Sequence, residues 1–398
     1  MRQYSRYNLA IVSYLCPIYQ RILENIIRPQ LNSGRALIVY GPRQVGKTTL
    51  AKKIAAAQGD YLYLNCDEPD VRAALTEKNS SDLRRVIGNH KFVVIDEAQR
   101  VPDIGLTLKI IIDSKLAAQV LATGSSSLDL ANRVNEPLTG RKTVFNLFPL
   151  TFAELSDGLN YFERQRLLSD IVVYGSYPAV INCAGERDKQ ALLKELTDSA
   201  LYKDVLEFQR VKNPHKIREL LRALAFQLGS EVSYSELGQQ LGIDRQTVES
   251  YIDLLEQSFI IYRLPPLARN SRKEISRMKK IYFFDNGVRN ALINRFERLE
   301  ERPDRGELWE SWAIGERIKT HRMIQDQRQH FFWRLKSGAE IDLVEDVAGD
   351  LHGIEYKYGT KAASPPESWG LIYPGASWRL VRPNTFAEQG LRDYYDGN

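Results

Sequence analysis

One stretch near the start of the chain, LIVYGPRQVGKTTLAKKI, constrains the possible fold more than any other. Its first part, residues 37–40, is a continuous apolar run too short for a helix, which predicts a buried strand. Its last part, residues 47–54, has apolar residues at helical spacing and lysines on the other face. The letters between them fit the spacing G-x-x-x-x-G-K-[ST]. A strand, a glycine-rich loop and a helix in this order predict a phosphate-binding loop.

In such a loop the backbone N–H groups turn inward around a phosphate, and the helix N-terminus adds positive potential. Lys47 would reach the outer phosphates of a nucleotide, and the Thr48 hydroxyl would hold a magnesium ion. A glycine-rich turn that binds nothing is the alternative, but the loop spacing, the strand and the helix all favour a nucleotide site. The predicted nucleotide-binding residues of the loop are Gly41, Pro42, Arg43, Gln44, Val45, Gly46, Lys47, Thr48 and Thr49.

A second stretch, FVVIDEAQ, would supply the groups that hydrolyse a bound nucleotide. Its apolar residues end in Asp96 and Glu97, which would emerge at the carboxyl edge of a parallel sheet, where phosphate loops also open. Asp96 would hold Mg²⁺ through a water molecule, and Glu97 would polarise the attacking water. A later strand end, LATGSSS, places Thr123 and Ser125 where a polar side chain could sense the γ-phosphate. Acids at strand ends are common, but together with the loop they predict a Mg²⁺-dependent ATPase.

The first part of the chain alternates short apolar runs with helical patterns. This alternation predicts a parallel sheet covered by helices on both faces, an α/β fold of the P-loop NTPase type. The predicted strands are residues 36–40, 61–65, 92–95, 119–123 and 143–147. The predicted helices are residues 47–57, 70–76, 81–87 and 106–114.

The middle of the chain is predicted to be helical and then to form a winged helix. Residues 161–208 have helical patterns, interrupted by the turn signal Gly175-Ser176-Tyr177-Pro178. Helices are predicted over residues 217–228, 235–241 and 245–257, the last two separated by Gly242-Ile243-Asp244. Residues 259–263 and 280–284 would be two strands of a wing.

Two features of the predicted winged helix suit DNA. Arg245 and Gln246, at the start of its third helix, are residue types that contact phosphates or base edges. The segment between the two wing strands is strongly basic, and its candidate DNA-binding residues are Arg269, Arg272, Lys273 and Arg277. A winged helix can equally serve as a spacer between domains, and a basic segment can be a solvated loop.

A third stretch, GAEIDLVEDVAGDLHGIEYKYG, holds a second set of carboxylates. Alternation places Asp342 on the opposite face of its strand from Ile341 and Leu343, and it places Glu355 and Lys357 together on the next strand. A short connection would fold the strands into a hairpin, so Asp342 would face Glu355 and Lys357. Two carboxylates can bind Mg²⁺, and a lysine can orient the attacking water or offset charge on a scissile phosphate. The alternative is a charged, solvated hairpin face.

The strings GPRQVGKTTLAK, VVIDEAQRVP, LATGSSS and LTGRK…FPLTFAEL, in this order and spacing, resemble a widespread prokaryotic group of AAA+-type ATPases. In that group a winged helix and a domain similar to PD-(D/E)XK nucleases follow the ATPase. The resemblance implies a small α/β nuclease-like domain with Asp342, Glu355 and Lys357 as catalytic residues, the two acids as metal ligands, and Glu310 as a further acid. It also implies that Arg141 lies near a nucleotide, as an arginine finger towards a neighbouring subunit; the alternative is an ion pair at the sheet edge.

Composition excludes several other classes of protein. The net charge of +5 is too small to identify a partner, and 43% hydrophobic residues are ordinary for a globular chain. Cys16, Cys66 and Cys183 lie too far apart to predict a disulfide framework or a zinc site, which favours the reducing cytosol. No apolar run approaches the roughly 20 residues of a membrane span, so no membrane partner is expected.

The patterns divide the chain into four segments. These are a poorly ordered leader (residues 1–18), a P-loop ATPase domain with a helical extension (19–208), a winged helix (209–285) and a nuclease-like domain (286–398). The expected function is that of an ATPase, with ATP and Mg²⁺ as cofactors, which acts on DNA through the last two domains. The analogy with AAA+ proteins also suggests a homo-oligomer. The alternative is a nucleotide-dependent switch or partner-binding protein whose nuclease-like domain is inactive.

Overall fold

The computed structural model describes residues 19–124, 138–199, 213–267 and 278–389. Five strands form the first sheet: β1 (Ala36–Tyr40), β2 (Tyr61–Asn65), β3 (Phe92–Asp96), β4 (Gln119–Gly124) and β5 (Lys142–Asn146). They are all parallel, in the lateral order β2-β3-β4-β1-β5. Every residue of β1 and β3 is buried, as the continuous apolar runs predicted. The predicted parallel α/β fold is confirmed.

Helices cover this sheet and position its functional edge. They are α1 (Ile22–Ile27), α2 (Lys47–Ala56), α3 (Pro69–Leu75), α4 (Ser80–Ile87) and α5 (Ile104–Asp113), with 3₁₀ turns at Arg28–Gln30 and Ala98–Arg100. Because the strands are parallel, their carboxyl ends meet at one edge. Asn65 pairs with Asp96, and Tyr40, which leads into the glycine-rich loop, pairs with Gly124.

A group of helices follows the first sheet. These are α6 (Phe152–Ser156), α7 (Tyr161–Tyr174), α8 (Pro178–Ile181) and α9 (Glu186–Ser199). The predicted break is present, because α7 ends at Gly175, whose φ is +72°. A Cβ at this glycine would lie 1.9 Å from Oδ1 of Asp285, so the turn has room only for glycine.

The next segment has the predicted order of helices and strands. It comprises α10 (Pro214–Phe226), β6 (Glu231–Val232), α11 (Tyr234–Leu241), α12 (Arg245–Gln257), β7 (Ile261–Leu264) and β8 (Lys279–Phe283). The strands form an antiparallel sheet in the order β6-β8-β7. The following helix, α13 (Asn286–Ile293), packs against α7, α9 and α10. Helix α13 therefore packs with helices that precede residue 285, although the sequence predicted a domain boundary between residues 285 and 286.

The last segment is a four-stranded sheet with helices. Its elements are a 3₁₀ turn (Leu299–Glu301), α14 (Arg305–Met323), β9 (Gln329–Arg334), β10 (Glu340–Val347), β11 (Asp350–Tyr356), α15 (Glu367–Ile372), β12 (Ser377–Val381) and α16 (Pro383–Gln389). The strand order is β12-β11-β10-β9, with β12 parallel to β11 and the other pairs antiparallel. The predicted hairpin joins β10 to β11 through the two residues Ala348 and Gly349. Both have positive φ, as is typical of two-residue hairpin turns.

Helix α14 ties the parts of the chain together. Most of its nineteen residues are buried, and it contacts β5, α7, β8 and β11. Glu316 of α14 accepts a hydrogen bond from the backbone N–H of Phe152, at 2.7 Å, and so links this helix to the ATPase part. Within the described ranges, no helix is both long and apolar enough to cross a membrane.

Candidate nucleotide site and candidate metal centre

The glycine-rich loop owes its shape to two glycines. A Cβ at Gly41 would lie 2.0 Å from the carbonyl oxygen of Leu147, so only glycine fits beside β5. Gly46 has φ +96° and is the N-cap of α2; because glycine has no side chain, no side-chain group of the N-cap occupies the first N–H groups of the helix. These N–H groups are the ones that bind phosphate in such loops.

Lys47 lies inside the loop. Its side chain is buried, and Nζ donates to the carbonyl oxygens of Gly41 and Pro42 at 2.9 and 2.8 Å. The ammonium is therefore held within the turn of the loop that the sequence predicted to surround the phosphates. This arrangement fits a nucleotide triphosphate.

Asp96, the last residue of β3, receives hydrogen bonds from three neighbouring elements. Thr48 on α2 donates to Oδ2 at 2.8 Å, Tyr63 on β2 donates to the same oxygen at 2.6 Å, and Thr123 on β4 donates to Oδ1. The Thr48 hydroxyl and the Asp96 carboxylate thus lie side by side, as the predicted Mg²⁺ site requires. Tyr63 was not predicted, although β2 is the neighbour of β3 and its alternate residues face the same side. Burial and the nearby Asp96 carboxylate raise the pKa of Tyr63, which stays a hydrogen-bond donor.

Glu97 follows Asp96 in a backbone conformation that is rare for glutamate. Its φ is +52°, and its N–H donates to Oγ1 of Thr123 at 3.3 Å. The amide of Gln99 donates to its carboxylate, which orients the side chain. Such a backbone conformation is typical of functional positions. Glu97 lines the cavity that lies in front of the loop.

A cavity of about 390 Å³ lies in front of the loop. Residues 44–50 and Glu97 line one side of it. The other side is formed by Tyr19, Leu150, Pro178, Ala179 and Asn182. Arg21, which was not predicted, also lines the cavity and holds the loop by donating to the carbonyl oxygen of Val45 at 2.7 Å.

Arg141 lies away from this cavity. It immediately precedes β5, whose first residue pairs with Ala36, so it sits at the amino edge of the sheet, opposite the loop. Its Nε is 2.6 Å from Oδ1 of Asp113, in an ion pair that is partly exposed. The implied place near a nucleotide is therefore not in the cavity of its own chain, because a parallel sheet puts the two ends of β1 and β5 far apart. Ser125 lies outside the described residues.

The second predicted site lies on the face of the β10–β11 hairpin. Asp342 is buried and accepts a hydrogen bond from the backbone N–H of Tyr356 at 2.8 Å. Burial and the charges of Glu310 and Glu355 raise the pKa of Asp342 well above its ordinary value. The structure brings these three acids together from α14, β10 and β11. That they form a catalytic metal site stays a prediction.

Lys357 lies at the rim of this cluster. It is exposed, and its Nζ is 2.6 Å from Oε1 of Glu355. Burial alone would lower the pKa of Lys357, but its hydrogen bond to Glu355 and the other acids raise it. The second oxygen of Glu355, Oε2, is buried and accepts no hydrogen bond from the described residues. An orphaned carboxylate oxygen beside a buried aspartate fits a bound divalent cation.

Two residues of this cluster come from the preceding segment and were not predicted. Lys280 of β8 is 2.6 Å from Oε1 of Glu340 and 3.5 Å from Oε1 of Glu310. Tyr282 of the same strand donates to Oε1 of Glu310 at 2.7 Å. Lys280 is the second of the two lysines that begin β8 and directly follows the basic segment, so the sequence did not distinguish it from that segment.

A third group, His321, His330 and Glu345, has its ligand atoms within 4.8 Å of one another. Glu345 is, however, already paired with the guanidinium groups of Arg317 and Arg328, whose positive charges oppose a metal ion. The two imidazoles lie 2.9 Å apart, Nδ1 to Nε2, so one donates to the other. This cluster is best explained as buried structural pairing.

The candidate DNA-binding residues divide into two groups. Arg245 and Gln246 are exposed at the start of α12, whose N-cap Asp244 accepts a hydrogen bond from the N–H of Thr247 at 2.8 Å. The basic set of Arg269, Arg272, Lys273 and Arg277 lies outside the described residues.

The site and the sheet define the class of the protein. A family model described as AAA domain matches residues 33–156, which contain the loop, Asp96 and Glu97. With the parallel five-stranded sheet, this match shows that the chain is an ATPase with a P-loop domain of the AAA type. Two further models, each described as a domain of unknown function, match residues 165–299 and 305–369.

The chain is also similar to individual proteins. An uncharacterized protein of Mycobacterium tuberculosis is 26% identical over 334 residues, which are 83% of this chain and 72% of that protein. An uncharacterized protein of Methanocaldococcus jannaschii is 26% identical over 287 residues, 67% of this chain and 64% of its own length. The solved Walker-type ATPase of Pyrococcus abyssi has a TM-score of 0.46 and 16% identity, and the match covers 69% of this chain and 96% of that one.

Proposed function

We propose that this ATPase binds and hydrolyses ATP with Mg²⁺ in order to control a metal-dependent action on DNA by its carboxyl-terminal domain. The observation that carries the proposal is the convergence of Glu310, Asp342, Glu355 and Lys357, from three separate elements, on one face. A charged hairpin that is merely solvated would not need a buried aspartate or an acid from another helix. The arrangement instead suits the binding of a divalent cation next to a phosphodiester.

At the nucleotide site each residue has a role that follows from its position. Lys47, inside the loop, would contact the outer phosphates. The Thr48 hydroxyl and Asp96, which lie side by side, would hold Mg²⁺, and this ion would supply positive charge to the phosphates. Glu97 orients the attacking water and accepts its proton. Thr123 and Tyr63 keep Asp96 in place through their hydrogen bonds.

Contact with DNA is proposed for the segment of α10 to β8. Its order of helix, strand, two helices and two strands, with the sheet order β6-β8-β7, supports the proposal of a winged helix. Arg245 and Gln246 are exposed at the start of the helix that enters the groove in such domains. Replacing both by serine should weaken binding to any duplex, and the dependence of log K on log salt should lose about one unit of slope for each lost phosphate contact.

The acids Glu310, Glu340, Asp342 and Glu355 form what we call the acidic face. On this face, Asp342 and Glu355 would hold a divalent cation. Such a cation polarises a water molecule and offsets charge on a scissile phosphate. Lys357 lies beside Glu355 at the exposed rim, where it would orient that water or bind the phosphate. Glu310, which is held by Tyr282, would act through a bridging water.

The deciding experiment is a cleavage assay on plasmid and single-stranded DNA with Mg²⁺ or Mn²⁺. Asp342→Ala should lose both metal binding and cleavage, whereas Lys357→Ala should keep the metal and lose cleavage. Asp350→Ala is a matched control, because Asp350 lies on the same hairpin at its exposed end. If Asp350→Ala and Asp342→Ala behave alike, the proposed site is wrong.

One observation favours the alternative of a nucleotide-dependent switch without cleavage. The ammonium of Lys280 already pairs with Glu340 and Glu310 on the acidic face. A protein that binds metal but cleaves no DNA under any of these conditions would support the switch.

A further inference from the structure

The acidic face is built by two segments of the chain. Glu310, Glu340, Asp342 and Glu355 belong to α14 and the last sheet, whereas Lys280 belongs to β8 in the sheet β6-β8-β7. Lys280 and Tyr282 are two residues apart on β8, so both side chains leave the same face of that strand. Both reach acids of the cluster, and both use Oε1 of Glu310.

The position of Lys280 is unusual for a lysine. Its side chain is only 2% exposed, and a buried ammonium is costly unless acids pair with it. Here the pairing is supplied by Glu340 at 2.6 Å and Glu310 at 3.5 Å, and the ring of Phe332 lies 5.4 Å from Nζ. The lysine in turn stabilises the carboxylates, because its positive charge reduces the repulsion between negative charges on one face.

The lysine ammonium and a divalent cation on Asp342 and Glu355 would be two positive charges held by the same group of acids. Oε1 of Glu310 already accepts from Tyr282 and pairs with Lys280. A metal ion held by the same face would lie close to the ammonium and would be repelled by it. The lysine and the metal are therefore competitors.

We propose that Lys280 is a tethered counter-cation of the acidic face, which neutralises the carboxylates in the absence of metal and withdraws when a divalent cation binds. This inference rests on the proposed metal site of Asp342 and Glu355. It makes metal binding depend on the position of β8, which belongs to the preceding segment. The lysine would thus keep the acidic face inactive until β8 moves.

The first test measures Mn²⁺ binding directly, by electron paramagnetic resonance of free Mn²⁺, at one fixed salt concentration. Lys280→Met keeps the length of the side chain and removes its charge, so it should bind Mn²⁺ at least about tenfold more tightly than the wild type. Lys279→Met is the matched control, since Lys279 is the adjacent lysine and points to the other face of β8. Mn²⁺ binding by Lys280→Met alone would also support the inference.

Two results would overturn it in different ways. Equal Mn²⁺ affinities of Lys280→Met and Lys279→Met would refute the counter-cation and leave the metal site intact. Absence of Mn²⁺ binding in every form would refute the metal site itself, and the inference with it.

A second measurement uses the wild-type chain and does not depend on the folding of a variant. Lys280 should resist an amine-reactive reagent in metal-free protein because it is buried, and its modification, located by mass spectrometry, should rise at saturating Mn²⁺. Lys279 serves as the internal reference. Continued protection of Lys280 at saturating Mn²⁺ would show that the metal binds without displacing it and would overturn the inference.

Discussion

Arg21 is expected to be one of the most sensitive positions for the stability of the ATPase part. Its guanidinium is buried and donates to Oε1 of Glu154 at 3.0 Å and to the carbonyl oxygens of Val45 and Phe148, each at 2.7 Å. Val45 belongs to the phosphate-binding loop, so one arginine holds that loop against the segment that follows β5. The informative change is Arg21→Met, which keeps most of the apolar stem.

The expected cost follows from these contacts. Removal of one partner from a buried ion pair typically costs about 3–5 kcal/mol. Glu154 keeps the N–H groups of Ile22 and Thr151, which favours the lower end of that range. The two carbonyl oxygens each lose a hydrogen bond worth about 1 kcal/mol. Arg21→Met should therefore lower the free energy of unfolding of this part by about 5 kcal/mol.

The assay is guanidinium unfolding in the presence and absence of ATP. The transition of the ATPase part is the one that shifts with added nucleotide, because a ligand stabilises only the part that binds it. Arg28→Met is the matched control: Arg28 is 40% exposed in its pair with Glu24, so its loss should cost at most about 1 kcal/mol. Arg21→Met should also weaken ATP binding, since the carbonyl of Val45 is no longer anchored. A stability loss no larger than that of Arg28→Met would refute the reasoning.

Three further expectations concern hydrolysis and pH. Glu97→Gln should bind ATP with Mg²⁺ but turn it over about 10²–10⁴ times more slowly, in a single-turnover assay; unchanged turnover would assign the role to another acid. Arg141→Ala should lower hydrolysis without changing nucleotide affinity if Arg141 acts on a neighbouring copy, and unaltered turnover would leave it only its ion pair. Burial lowers the pKa of His321 to about 3 and that of His330 to about 4. As the pH falls below about 6.5, the two histidines take up protons in the unfolded chain before they do so in the folded one. The free energy of unfolding should therefore decline by up to about 2.7 kcal/mol per pH unit until about pH 4. Unfolding curves at pH 7 and pH 5 can check this. Equal stability at these two values would contradict the pairing of neutral rings.

The sequence predicted the nucleotide site well because its signals are local or follow from strand polarity. The loop spacing requires no knowledge of distant residues. The proximity of Thr48 and Asp96, 48 positions apart, follows once both are placed at the carboxyl edge of one parallel sheet. The hairpin with Asp342 and Glu355 was predicted for the same reason, since alternation along two adjacent strands fixes which side chains share a face.

The residues that sequence reasoning missed depend on contacts between distant elements. Arg21 reaches Glu154 across 133 positions, and no periodic pattern connects them. Tyr63 lies in the predicted strand of residues 61–65, but only the lateral order of the sheet puts its hydroxyl beside Asp96. For Arg141, the sequence motif implied a position near a nucleotide. Arg141 precedes β5, however, and β5 begins at the edge of the sheet away from the loop of the same chain. A motif indicates which chemical groups are present, but only the packing of the elements shows which of these groups lie close enough to act together.

The path of β8 explains how the two sites could influence each other. One end of this strand supplies Lys280 to the acidic face, and the residue Asp285 lies just beyond its other end. The carboxylate of Asp285 accepts from the N–H of Ser176 at 2.8 Å, in the turn that leads into α8. Pro178 of α8 lines the nucleotide cavity. Because the contact of Asp285 with this turn leaves no space even for a Cβ at Gly175, we expect a shift of β8 that withdraws Lys280 to be transmitted to the wall of the nucleotide cavity.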